Sequence, residues 1–227
     1  MSTLLENAGM DTVSVSAEGF QEVDANVYFQ IAGKIAGKFE LVSKEEMGKA
    51  LEDLFNSNSK LLTNEENFND DGSGMHGPIV KCFVANATPK LPRRATKGSA
   101  GYDFYAPFTF TLLPGETIKI PTGIKCRMNP GWVLKLYPRS SLGFKHRISL
   151  DNTVGIIDQD YYNNPNNEGH IFIKITYNKP SSAPALTIHK GDAFAQGLFV
   201  EYGITEDDKV ETSRNGGFGS TDKNKKE

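Results

Sequence analysis

The sequence predicts an all-β domain over residues 78–211, a sandwich or barrel of short antiparallel strands, behind a smaller N-terminal segment holding a hairpin and a helix. Two observations carry the sheet domain. Runs rich in Val, Ile, Phe, Thr and Tyr recur from Ile79 onward, separated by turn signals such as Pro114-Gly115, Asn129-Pro-Gly131 and Lys190-Gly-Asp192. Ile171, Ile173, Ile175 and Tyr177 alternate with Phe172, Lys174 and Thr176, the pattern of a strand with one face in a core.

In chain order, residues 1–19 are polar, lack periodicity and are expected to be loose. Val27, Phe29 and Ile31 alternate with Tyr28 and Gln30, Gly33 to Lys38 supplies turn chemistry, and Phe39 and Leu41 alternate again, which reads as a β-hairpin. Ser43 and Glu46 have capping-box spacing. Met47, Ala50, Leu51, Leu54 and Phe55 follow at helical spacing, so a helix of about three turns starts there. One hairpin and one short helix cannot form an independent core. Residues 1–56 are therefore expected as an appendage that docks on something or on its own copies, and the polar, glycine-rich residues 57–77 as a linker. Strands are expected at Ile79 to Val84, Phe108 to Leu113, Thr117 to Ile120, Ile124 to Met128, Trp132 to Tyr137, His170 to Tyr177, Leu186 to Ile188 and Phe194 to Tyr202.

Composition narrows the function classes. With 227 residues, 38% of them hydrophobic, the chain can bury one good core. A net charge of −3 leaves no footprint for direct nucleic-acid binding or for an anionic membrane. Cys82 and Cys126 are too few for a disulfide framework and too far apart for a zinc knuckle; they are expected as buried thiols of a reducing compartment. His76 has no Cys or His at ligand spacing. No apolar run approaches the ~20 residues of a spanning helix, and the first residues lack the regions of a signal peptide, so a soluble, cytoplasmic protein is expected.

Five constellations sit in turns and at strand ends, where a rigid β scaffold usually presents binding residues. Lys97-Gly-Ser-Ala-Gly-Tyr-Asp-Phe104 lets backbone pass close to a ligand beside Asp103, or forms a bulge with a hydrogen-bonded Asp. Tyr137-Pro-Arg-Ser-Ser-Leu-Gly143 can hold a phosphate with the Arg139 fork and the Ser140 and Ser141 hydroxyls, or is an ordinary turn. Asn152 to Tyr162 sets an apolar strand, Val154 to Ile157, against Asp158, Asp160 and two tyrosines. The turn chemistry after it breaks the strand period, so one acid is expected in a pocket as general base and the other in a structural role. Lys190-Gly-Asp-Ala-Phe-Ala-Gln196 carries an amide that contacts either a ligand or neighbouring backbone. Ser213 to Thr221 rings Phe218 with glycines, with Arg214 before it and two hydroxyls after, like a flexible arm that closes over an aromatic, anionic ligand.

Ala-Gly-Tyr-Asp, Pro-Arg-Ser-Ser-Leu-Gly, Gly-Ile-Ile-Asp-Gln-Asp-Tyr, Gly-Asp-x-x-Ala-Gln and Gly-Gly-Phe-Gly-Ser-Thr, in this order over Ile79 to Thr221, resemble the homotrimeric dUTPase family. The resemblance implies a jelly-roll-like distorted β-barrel with a flexible arm at 212–227. It also implies Mg²⁺-dependent hydrolysis of dUTP to dUMP and pyrophosphate, in a homotrimer whose sites draw on all three subunits. On the same basis Asp158 is the carboxylate that activates water, Asn152 reads uracil, and Tyr161 packs on the deoxyribose and excludes a 2′-OH. Arg139, Ser140, Ser141 and Gln196 contact phosphates, Asp103 acts on the metal through water, and Phe218 and Gly219 cover the base with Arg214 and Ser220 on phosphate oxygens. The sequence departs from the family's pattern in three places. Tyr162-Asn-Asn-Pro-Asn-Asn-Glu-Gly169 stands where Arg-Gly usually follows, Ala193-Phe194 replaces a common Arg-Ile, and Arg214 is one position nearer the glycines. Two other readings are a dCTP deaminase, alone or combined with the hydrolase, and a dUTP sensor that engages a protein partner through residues 1–56.

Overall fold

The computed structural model describes residues 35–62 and 86–210. Twelve strands fall in it: β1 (Gly37–Leu41), β2 (Arg93–Arg94), β3 (Tyr102–Tyr105), β4 (Phe110–Leu112), β5 (Thr117–Pro121), β6 (Ile124–Met128), β7 (Trp132–Pro138), β8 (Ile148–Leu150), β9 (Gly155–Ile157), β10 (Phe172–Tyr177), β11 (Leu186–Ile188) and β12 (Ala193–Glu201). Helix α1 spans Lys44–Leu62, α2 spans Ser140–His146, and a 3₁₀ turn covers Gln159–Tyr161. The strands pair antiparallel in four small sheets, ordered β2-β3-β12-β7-β9, β5-β10-β8, β11-β4 and β1-β6. This is the distorted, jelly-roll-like β-barrel that the turn spacing and the resemblance led one to expect.

Alternation along β10 sets the core. Ile171, Ile173, Ile175 and Tyr177 are buried while Lys174 points to solvent, and Phe104, Phe110, Ile118, Ile120, Leu134 and Phe194 meet them from neighbouring strands. A Cβ at Gly155 would stand 3.0 Å from the Leu136 side chain, a crowded contact that glycine avoids where β9 lies on β7. Cys126 is buried on β6, and removal from water pushes its thiol up to about 12, which fits a packing role. No helix among the described residues is long and apolar enough to cross a membrane.

Part of the N-terminal segment is built into the barrel. β1, the expected second hairpin strand, pairs residue for residue with β6, from Gly37 opposite Met128 to Leu41 opposite Ile124. Helix α1 lays Met47, Leu51, Leu54 and Phe55 into the same core as the barrel strands. What this segment docks on is thus the barrel itself, and residues 37–56 are part of its wall and lid. The physical reason is the one that excluded an independent core: an apolar strand face and an apolar helix stripe need a sheet to cover them. α1 also runs beyond the expected end to Leu62, with a break at Asn58 (φ −141°, ψ 31°), so residues 57–62 are helical rather than linker. Val27 to Ile31, the rest of the expected linker, Ile79 to Val84 and the arm all lie outside the described residues.

Leu51→Ala should accordingly weaken the whole barrel. Loss of a fully buried leucine costs about 2–5 kcal/mol, and the expected result in urea is one cooperative transition displaced to lower denaturant, followed by the fluorescence of Trp132 on β7.

Candidate active site

Strand β12 is the spine of a first cleft. Gln196 stands opposite both Asp103 on β3 and Tyr137 on β7, so three stretches distant in sequence meet at one place in the five-stranded sheet. The cleft there holds about 900 Å³ and is walled by Asp103, Arg139, Ser140, Gln196, Gly101 and Phe144, among others. Arg139 Nη2 lies 3.3 Å from Asp103 Oδ2, so cation and carboxylate neutralise each other and an entering anion must compete for the guanidinium. Gln196 Nε2 donates to the Pro138 carbonyl at 3.2 Å, the backbone-bonded alternative, with its amide still on the wall. Ser140 and Ser141 open helix α2, whose first turn bonds Leu142 and Gly143 N–H to the Arg139 carbonyl. Ser140 lines the cleft and Ser141 does not.

A second cleft of about 400 Å³ is walled by Asn152, Val154, Ile156, Ile157, Tyr161 and Phe172, with Asp151 and Lys174 at its polar edge. Asn152 sits in a tight turn between β8 and β9, where Thr153 N–H bonds to Leu150 O at 3.0 Å and Val154 N–H to Asn152 O at 2.6 Å. The turn holds Thr153 at φ 64°. A left-handed backbone costs an L residue ~1–2 kcal/mol, and a β-branched residue is an outlier there. β9 ends at Ile157, Asp158 continues in extended backbone (φ −80°, ψ 158°), and the 3₁₀ turn begins without a side-chain cap from Asp158. The strand period is therefore broken between Asp158 and Asp160. Asp158 is half-buried and lines neither cleft, while Asp160 is exposed.

The two clefts share no wall residue. The structure brings Asp103, Arg139, Ser140 and Gln196 together, and separately Asn152 and Tyr161. Arg214, Phe218, Gly219 and Ser220 lie outside the described residues.

Tyr161 is 5% exposed and is held from several sides. Its hydroxyl donates to His170 O at 2.8 Å and accepts from Asn167 Nδ2 at 2.8 Å, and its carbonyl accepts from Asn164 Nδ2 at 2.8 Å. These bonds close the loop Tyr162–Gly169 on itself. Gly169, at φ 79°, is obligatory in it, since a Cβ would fall 2.6 Å from Tyr161 O. His170 is fully buried at the end of the loop. Gly123 N–H donates to its Nε2 at 2.9 Å, so Nε2 carries no proton, and Nδ1–H donates to Glu46 Oε1 at 2.9 Å. Burial holds its pKa below the ordinary 6.5 against the opposing pull of Glu46.

The family model described as dUTPase matches residues 87–222. The chain belongs to the dUTPase family. Curated relatives named deoxyuridine 5′-triphosphate nucleotidohydrolase include one from Lactococcus lactis, 44% identical over 138 residues that span 60% of this chain and 90% of the relative. Another, from Paraburkholderia xenovorans, is 37% identical over 152 residues, 63% of this chain and 97% of the relative. Among solved structures, a dUTPase from Streptococcus mutans aligns with a TM-score of 0.46 and 39% identity over 51% of this chain and 88% of that one. As a dUTPase the chain is a dUTP diphosphatase, a hydrolase of nucleotide metabolism that converts dUTP to dUMP.

Sequence reasoning missed three features of this dUTPase. Helix α2 stands where a turn was expected, because seven residues containing Gly143 and Phe144 show no helical period. Phe144 projects beside the first cleft, 91% exposed, a placement that only the helix creates. His170 and Glu46 lie 124 positions apart and carried no joint signal.

The buried imidazole makes stability depend on pH. Because the folded pKa of His170 is depressed, the unfolded chain binds its proton first, and stability present above pH 6.5 is lost as pH falls below it. Glu168 and Glu40 are held below their ordinary 4.5, by bonding from Ser43 and from Tyr162 respectively, so their contribution is lost only as pH falls below 4.5. The expected result is a decline in unfolding free energy between pH 6.5 and 5 that His170→Gln flattens, while the steeper decline below 4.5 persists in both proteins.

Proposed function

We propose that the chain hydrolyses dUTP by attack of water on the α-phosphorus, with Asp158 as general base, in a homotrimer whose sites are completed between subunits. The observation that carries this reading is the division of the matched motifs into two clefts. Asp103, Arg139, Ser140 and Gln196, suited to phosphate and metal, line one, and Asn152 and Tyr161, suited to a nucleoside, line the other, with no shared wall, while Ser141 and Asp158 line neither. A single nucleotide touching both sets is then accommodated if one subunit supplies the first cleft and a neighbour the second, which is what the likeness to homotrimeric dUTPases implies.

In this reading Asn152, on its strained turn, pairs with the uracil edge, and Tyr161 packs on the deoxyribose. Arg139, Ser140, Ser141 and Gln196 take the phosphates, with Arg139 released from Asp103 as the triphosphate enters. A hard oxygen donor suits Mg²⁺. Asp103, 14% exposed at its side chain and facing the first cleft, fits that requirement and would hold the ion through its water shell. When bound, the ion supplies neutralisation of triphosphate charge. Asp158 orients and deprotonates the attacking water. Phe218 and Gly219 cover the base, Arg214 and Ser220 reach the phosphates, and closure of that arm keeps bulk water from the reacting phosphorus.

With Mg²⁺ the protein should release pyrophosphate from dUTP and much more slowly from dTTP, dCTP or UTP, because polar groups built for uracil and deoxyribose are left unpaired or crowded by the others. Asp158→Asn keeps shape and removes basicity; kcat is expected to fall ~10²-fold or more with nucleotide affinity largely kept. Unchanged turnover in that variant would remove Asp158 from the role.

Truncation after Glu211 tests the arm. A folded protein that still binds dUMP but turns dUTP over at least tenfold more slowly is the expected outcome, read by calorimetry and by pyrophosphate release; near-normal kcat would assign closure to another segment.

A further inference from the structure

The loop Tyr162–Gly169 occupies the place where the family pattern has Arg-Gly, and the N-terminal segment grips it at two points and the His170 that follows it at a third. Glu46 on α1 accepts the His170 Nδ1 proton at 2.9 Å. Ser43 N–H, just ahead of the helix, donates to Glu168 Oε2 at 3.2 Å, and Lys125 on β6 reaches the same oxygen at 3.2 Å. Tyr162 O–H donates to Glu40 on β1 at 2.6 Å.

The start of α1 shows how Glu46 comes to be available. In a reciprocal capping box the glutamate three residues into the helix reaches back to the cap residue's N–H. Here only half the box forms: Ser43 Oγ accepts from Glu46 N–H at 3.1 Å, but Ser43 N–H is taken by Glu168. The loop's carboxylate substitutes for Glu46 at the helix end, and the Glu46 carboxylate is spent on the buried imidazole. The exchange couples the two segments at both ends.

We propose that Glu46 is a positioning residue for the nucleotide pocket, setting the sugar discrimination of Tyr161 through His170. The route is two bonds long. Glu46 and Gly123 fix the imidazole from opposite sides, which fixes the backbone at His170, and the His170 carbonyl accepts the Tyr161 hydroxyl at 2.8 Å. Tyr161 is one of the residues that line the 400 Å³ cleft. Rejecting a 2′-OH requires a wall that does not yield by the size of one oxygen atom, so discrimination depends on how firmly the ring is held. The N-terminal segment is thus a part of the specificity machinery that lies outside residues 87–222, the span of the family match. The inference rests on the proposed role of Tyr161 against deoxyribose.

The test is the ratio of kcat/KM for dUTP to that for UTP, measured on the full chain for the wild type, Glu46→Gln, Glu46→Ala and Tyr161→Ala. Glu46→Gln keeps an acceptor for the imidazole N–H and is expected to keep the ratio. Glu46→Ala is expected to lower it by about tenfold, within the loss that a small misplacement of a positioning group produces, chiefly by lowering KM for UTP, with kcat on dUTP within about threefold of wild type. A merely structural role for Glu46 would lower the melting temperature and leave the ratio alone. A wild-type ratio in folded Glu46→Ala, with the ratio collapsed in Tyr161→Ala, overturns the inference and leaves the role of Tyr161 standing. A wild-type ratio in Tyr161→Ala overturns the reading of Tyr161 and the inference with it. Should Glu46→Ala fail to fold, Glu46→Asp decides, since it keeps the carboxylate but draws it back from the His170 imidazole by one methylene; a fall in the ratio supports the inference and an unchanged ratio overturns it.

Discussion

A fully buried imidazole has two ring nitrogens to satisfy, and the way His170 does so ties together most of what is unusual in this dUTPase. One nitrogen is met by the Gly123 backbone just before β6 and the other by a carboxylate from α1. A buried polar group left without a partner costs about 1–3 kcal/mol, so the pairing requires the helix, the β5–β6 connection and the long loop to arrive in one arrangement. The Thr122 hydroxyl reinforces it, donating to Ile171 O at 2.6 Å beside the same junction. Around that point the loop acquires its shape, and from the loop Tyr161 acquires its place.

Much of the barrel was legible in the chain because one face of each strand is buried and the period of two is hard to disguise. Ile124–Met128 and Leu186–Ile188 coincide with the expected runs, and Ile171 to Tyr177 shows the expected inward face. Which strand pairs with which was not legible. Phe39 and Leu41 announce a strand, but nothing local announces that it pairs with β6, nearly ninety positions onward. Local pattern states that a face is apolar; it does not state what covers it. The same limit separated α1 from the barrel in the sequence reading, although its stripe of Met47, Leu51, Leu54 and Phe55 was itself correctly read.

At the site, the ordered motifs were visible because each pairs a functional side chain with small or turn-forming neighbours. The β3–β12–β7 ladder explains why Asp103, Gln196 and the stretch ending in Arg139 had to be spaced as they are. The supporting residues were invisible for a physical reason: Glu46 and Glu168 look like surface carboxylates of a helix start and a polar loop until the fold sets one against His170 and the other against Ser43. Phe144 was hidden by a short helix without a period.

The distance in sequence between the N-terminal segment and its partners also bears on how the molecule is made. α1 is complete by Leu62, but the loop that accepts Glu46 and Ser43 is 124 and 125 residues further on. At ~5–20 residues per second of synthesis, Glu46 and Ser43 wait about 6–25 seconds for the residues that meet them. During that interval the nascent chain carries an exposed amphipathic helix whose proper surface does not yet exist. Long-range pairing of this kind is slow to form and leaves apolar surface open to wrong partners in the meantime. The arrangement that ties the N-terminal segment to the long loop in the finished protein thus places its greatest demand on the cell's folding assistance while the chain is still on the ribosome.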